Sequence, residues 1–288
     1  MKQATLHKIH RRAQAINITR SRDIVRTPTP FFDLVVLTTL LLMTLLSACA
    51  PLQPVTREGQ VTVMESAPAA ESTTTDIAQR YAAALQDAKD AEPDEIVDTL
   101  TAITPDNPDL VWEEGRVLMV TWTSWNGYDG LVGQETALGR EVWATAVPQV
   151  QGFCQSYAAT AETPLQLRLE ELLGLPADNG KTRFVEMWVT PADMFRPSPD
   201  GEIDDTSADL EMPGPDRFAS EQAYEFHRDW FNLQMSLQAY DDPSKGYPWT
   251  RLGYTYDWGN PDGEVGLSEF VVAAGSTVTI NDVFTNDA

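Results

Sequence analysis

The chain has 288 residues, with 43 acidic against 20 basic side chains and a formal net charge of −23. Such a balance repels nucleic acid and anionic lipid headgroups, which excludes a phosphate-reading role. Cysteine use is minimal, at two residues. Of three histidines only His227 lies beyond the basic N-terminal stretch, so neither a three-histidine nor a Cys₂His₂ zinc site can be built there.

In chain order, the first feature is a basic stretch (Lys2, Lys8, Arg11, Arg12, Arg20, Arg22, Arg26) followed by an apolar run from Leu34 to Leu46. A spanning helix needs about 20 apolar residues, and this run is shorter, the length of a signal-peptide core. Leu46-Ser47-Ala48-Cys49 closes it. This tetrad resembles the lipobox of bacterial lipoproteins. The resemblance implies that Cys49 carries a diacylglyceryl group and becomes the acylated first residue after cleavage. Residues 1–48 are then a signal peptide, and residues 49–75, rich in Pro, Thr, Ser, Ala and Glu, a disordered tether.

Residues 76–110 read as a short helical segment. Ile77, Tyr81, Leu85 and Ala88 share a helix face, and a second helix after Pro93 carries Ile96, Val97 and Leu100. An acidic domain is expected over residues 111–288. Its strands are Arg116–Trp125, Glu141–Val147 and Arg183–Val189, the last reading "RFVEMWV". Between the second and third lies a helix with Thr163 as cap, Pro164 at its first position and Gln166 completing a capping box. Leu165, Leu169, Leu172 and Leu173 form its buried stripe, and Gly174 stops it.

Residues 191–218 form a loop with the acidic run "PDGEIDD". A long helix begins at Ser220 with Phe226, Trp230, Leu233 and Leu237 as its core face. "TRLGYTYDW", "LSEFVV" and "STVTI" complete the sheet. Strands and helices do not alternate, so the expected class is α+β: one compact domain with a mostly antiparallel sheet and two or three packed helices.

Candidate chemistry is sparse. Cys154 reads as a buried small hydrophobe, an intermolecular bridge or a reactive thiol. His227 reads as a hydrogen-bonded boundary histidine; the sharper alternative makes it the base for a Cys154 nucleophile, oriented by Asp229 or Asp257. Glu186, set between Phe184 and Trp188, is a candidate for a carboxyl raised by burial. Asn260, Asp262 and Glu269 match three positions of a calcium loop whose first position is Trp258, not an oxygen ligand. Tyr254, Tyr256 and Trp258 alternate onto one sheet face; with Trp249 they form either core or a stacking platform for sugar rings. No G-x-S-x-G, P-loop, H-E-x-x-H or G-x-G-x-x-G motif occurs.

"GYPWTRLGYTYDWGNPDGEVGLSEFVV", "GKTRFVEMWV" and "HRDWF" resemble secreted proteins of cyanobacteria and similar bacteria. That resemblance implies an envelope address and transfers no activity. The expectation is a lipid-anchored, extracytoplasmic cell-envelope protein, held to the membrane through Cys49, serving as a binding or structural module. Its partner would be a glycan or an envelope protein, with no nucleic acid and no cofactor. The alternative is a hydrolase of cell-wall or extracellular polymer, using paired carboxylates or Cys154 and His227.

Overall fold

The computed structural model describes residues 69–157 and 163–286, with side chains from residue 74 onward. The expected signal peptide, Cys49 and most of the expected tether lie outside the described residues. Helix α1 (Ala69–Asp87) starts inside the stretch read as tether. Tertiary packing stabilises it: Tyr81, Ala84, Leu85 and Ala88 are buried against Tyr240 and Trp258, and the Tyr81 hydroxyl donates to the Gly246 carbonyl at 2.9 Å.

The expected second helix does not form. Pro93–Glu95 make a single 3₁₀ turn, after which the chain runs extended. The Leu100 and Ile103 amides donate to the carbonyls of Thr206 and Ile203, and the two side chains enter different apolar clusters. An extended segment can serve both clusters and bond the neighbouring loop at once.

The strands are β1 (Trp112–Glu113), β2 (Arg116–Thr123), β3 (Glu135–Ala137) and β4 (Val142–Ala146). Helices α2 (Gln149–Tyr157) and α3 (Leu165–Leu172) follow. Then come β5 (Arg183–Val189), β6 (Met194–Phe195), α4 (Glu221–Leu237), β7 (Tyr254–Tyr256), β8 (Val265–Ser268), β9 (Phe270–Val272) and β10 (Thr277–Thr285). The main sheet runs β3-β10-β5-β2-β4-β9-β6 with β1 on β2, and β7 pairs with β8 in a separate ribbon. Every strand pairing among the described residues is antiparallel. The class is α+β.

Period-2 alternation gives the main sheet two buried faces. Val117, Met119, Val185, Met187, Phe270, Val272, Val278 and Ile280 fill one. Leu118, Val120, Trp122 and Phe184 fill the other, under Val150 of α2 and Leu169 and Leu172 of α3. Register carries this second face sideways: Val120 pairs with Thr145 and Trp143 pairs with Val271, which packs with Trp230 of α4 and Trp249. The helices therefore share one side of the sheet, and a space opens between them.

Two helices differ from expectation. In α3, Pro164 is the cap and no side chain bonds the helix start; Gln166 instead donates to Glu170. Gly174, at φ +63°, ends the helix as expected. Glu170 and Glu171 are buried beside Leu169 and Leu172. Ser220 caps α4 as expected, accepting from the Ala223 amide at 3.1 Å, but the buried face is rotated. Phe226, Leu233 and Leu237 are 56%, 54% and 67% exposed, whereas His227 and Trp230 are 4% and 8% exposed. Two stripes share Trp230, and periodicity alone favours the greasier one. A bond from Trp230 Nε1 to Glu141 at 2.7 Å and one between His227 Nε2 and the Ser198 carbonyl at 2.8 Å turn the helix to the other.

Candidate functional site: an aromatic cleft on the helix face

The space between the helices is a cleft of about 780 Å³. Its floor is the β2–β4 surface, with Val120, Trp143 and Thr145 facing in. Leu173–Leu175 after α3 and Tyr256 form one wall; Gln234 and Leu237 of α4 form the other. Trp125, Leu237 and Tyr247, all strongly exposed apolar or aromatic side chains, stand at it. Such a concave, mostly apolar space with a few placed polar groups is the usual form of a small-ligand site.

Two carboxyls enter the cleft, in opposite circumstances. Glu141, just before β4, accepts from Trp230 Nε1 at 2.7 Å, Gln234 Nε2 at 3.0 Å and Trp143 Nε1 at 3.4 Å, and so fastens α4 to the sheet. Glu269 sits where the chain passes from β8 to β9. Its amide donates to the Gly253 carbonyl at 2.9 Å, but its carboxyl has no hydrogen bond or ion pair with any described residue. Burial alone pushes that carboxyl up to about 8. At neutral pH it is a carboxylic acid, able to donate a hydrogen bond or a proton into the cleft.

Cations line the same space. Lys181 Nζ donates to the Trp122 carbonyl at 3.0 Å and is lowered by burial; Lys245 Nζ pairs with Asp242 at 2.6 Å. Arg140 is exposed and has no hydrogen-bond or ion-pair partner among the described residues. Trp143 packs against Trp230 and Trp249 with ring centroids 6.1 Å apart in each pair, which holds its ring in the floor.

The structure divides the expected aromatic platform. A register irregularity between Tyr254 and Tyr256 in the β7–β8 ribbon breaks the alternation that would set Tyr254, Tyr256 and Trp258 on one face. Tyr254 is core beside Leu100 and Leu252, and Trp258 is core beside Tyr81, with its Nε1 donating to the Leu175 carbonyl. Trp249 and Tyr256 do border the cleft, Trp249 through a largely buried ring anchored to the Pro197 carbonyl at 3.0 Å. The Tyr256 hydroxyl donates to Asp87.

The Cys154–His227 pair does not form. Cys154 packs in the α2–α3 cluster, and burial raises its thiol, the wrong direction for a nucleophile. His227 is locked to the Ser198 carbonyl among Phe195, Phe218 and Trp230. Asp257 is held by Arg168, and Asp229 pairs with its neighbour Arg228 at the surface. Glu186 accepts from Gln151 and Asn281 at 2.7 Å each and lies outside the cleft.

The calcium candidates part company. Asn260 accepts from the Asp262 amide in an exposed turn, while Glu269 faces the cleft. Among the described residues no group of three or more His, Cys, Asp or Glu side chains converges on a metal position. The acidic loop is more ordered than its composition implies. Arg196 is fully buried within it, donating to the Glu202 and Asp205 carbonyls, and Asp200 accepts from Ser198 and from the Asp209 amide.

Sequence reasoning missed Glu141, Trp143 and Arg140, which carry no motif and meet Glu269 only through strand register. It found Glu269 for a different chemistry. No helix among the described residues is long and apolar enough to cross a membrane. Comparison with protein-family models, curated proteins and solved structures finds no match to the chain.

Proposed function

We propose that this chain is an exported, lipid-anchored cell-envelope protein whose α+β domain binds a saccharide in the aromatic cleft. The observation that carries the binding reading is the cleft itself: a floor ring (Trp143), exposed side chains at Trp125 and Tyr247, and polar groups spaced among them. Sugar rings stack their C–H faces on aromatic surfaces while polar groups take the hydroxyls. The anchor reading rests on the tetrad ending in Cys49 after an apolar run of signal-peptide length.

Calorimetric titration of the full chain with envelope oligosaccharides tests the cleft. Tyr247→Ala and Trp125→Ala should weaken binding about tenfold while the melting midpoint stays put, since both side chains are exposed. Unchanged affinity in both variants would remove the cleft as the site. For the anchor, mass spectrometry of the protein from bacterial membranes should find an acylated N-terminal Cys49; an intact Met1 would contradict it.

A second reading, polymer hydrolysis, is favoured by one observation: Glu269 and Glu141 both reach the cleft. Two carboxyls lining one saccharide cleft are the residue types that glycosidase chemistry uses. Release of reducing ends that disappears in both Glu269→Gln and Glu141→Gln would support it; a complete lack of product from every bound oligosaccharide would leave binding alone.

A further inference from the structure

We infer that the cleft selects acidic sugars, with Arg140 receiving the ligand carboxylate and Glu269 giving a hydrogen bond to a ligand oxygen. The inference rests on the saccharide reading above and narrows its substrate class.

Four observations carry it. First, the buried acids of the domain are matched by the protein itself: Glu170 by the amides of Asp178 and Asn179, Glu171 by Arg80, Asp257 by Arg168, Asp200 by Ser198. The half-buried Glu269, whose carboxyl borders the cleft, is not. A carboxyl without a protein partner that opens on a ligand-sized cleft is free to take its partner from the ligand.

Second, a neutral acid chooses its ligand. Uncharged Glu269 offers an O–H to a hydroxyl, ring or carboxylate oxygen without repelling an anion. A cationic ligand would pull the same group to its ionised form.

Third, the chain carries 43 acidic and 20 basic residues, yet the cleft is bordered by Arg140, Lys181 and Lys245 against Glu141 and Glu269. Lys245 is occupied by Asp242 and Lys181 by a carbonyl, which leaves Arg140 as the cation among these with no partner in the described residues. A guanidinium takes a carboxylate through two parallel N–H bonds.

Fourth, no charged neighbour contributes to the shift at Glu269. Arg140 and Glu269 are separate lining residues of the cleft, and the ligand touches both. The other titratable groups bordering the space are Tyr128, Tyr247 and Tyr256, the last with its hydroxyl committed to Asp87.

The test is titration of the full chain with a galacturonate trisaccharide and with the neutral galactose trisaccharide. At pH 6 the acidic sugar should bind at least tenfold tighter. Above pH 8 its affinity should fall about tenfold per pH unit, as Glu269 loses its proton. Arg140→Ala should bring the acidic sugar down to the affinity of the neutral one. Glu269→Gln should keep binding at pH 6 and flatten the fall above pH 8, because an amide still donates. Equal affinity of the two sugars, a rise in affinity with pH, or an unflattened profile in Glu269→Gln would overturn the inference. If neither sugar binds, the saccharide reading falls and the selectivity with it; if both bind equally, only the selectivity falls.

Discussion

Arg168 grips Asp257 through both guanidinium nitrogens, Nη1 at 2.8 Å and Nη2 at 2.5 Å, and this fork joins α3 to the turn after β7. The pair is nearly closed to solvent, at 13% and 4% side-chain exposure. Phe153 lies under the guanidinium at 5.0 Å, and Glu171 links the group onward to Arg80 of α1. Helices α1 and α3 and the turn after β7 are thus tied through a chain of charges, with α2 joined to it by the Phe153 ring.

Removing one member leaves the other buried and unmatched. Asp257→Ala should cost about 3–5 kcal/mol, read as a lowered urea midpoint. A loss below about 1 kcal/mol would mean that solvent already satisfies Arg168.

The rotated face of α4 separates two apolar side chains only three residues apart. Trp230→Ala removes a ring packed between Phe195, Trp143 and Trp249 and takes away one of the three donors to Glu141, at a cost of about 3–5 kcal/mol. Leu233→Ala, on the exposed side, should stay within about 0.5 kcal/mol. The opposite ranking would restore the face expected from periodicity.

His227 is neutralised by burial, its pKa held below the ordinary 6.5 despite the Ser198 carbonyl. The unfolded chain therefore takes up a proton first as the solution is acidified. Stability contributed by neutral His227 is complete above 6.5 and lost as pH falls below it. In His227→Gln, stability between pH 7 and pH 5 should fall less steeply than in the parent chain. Identical slopes would show that His227 is not desolvated.

Glu269 works in the other direction. Its ordinary value of 4.5 is raised to about 8, so the folded chain holds a proton that the unfolded chain releases. The favourable contribution is complete below 4.5 and is lost as pH rises through 8. Without any ligand, Glu269→Gln should match the parent at pH 4 and be clearly more stable at pH 9. A parent chain with the same midpoint at both values relative to Glu269→Gln would place the carboxyl in water.

Much of the scaffold was legible in the sequence. The runs "RVLMVTWT" and "RFVEMWV" are strands because β-branched and aromatic residues alternate between two buried sides, and Gly174 and Ser220 mark helix ends through chemistry local to the chain. A left-handed turn or a hydroxyl cap involves neighbours within a few residues, so it needs no knowledge of the fold.

What tertiary structure alone decided was which side of an element meets what. Glu170 and Glu171 are buried because loops and α1 bring amides and Arg80 to them. The stripe chosen by α4 depends on Glu141, some ninety residues earlier in the chain. The cleft has the same origin: Glu141, Trp143 and Glu269 lie on separate stretches and become neighbours through the pairing of β4 with β9. Hydrogen-bond partners that distant leave no periodic trace, because each strand's pattern records only that a side is buried and not what lies against it.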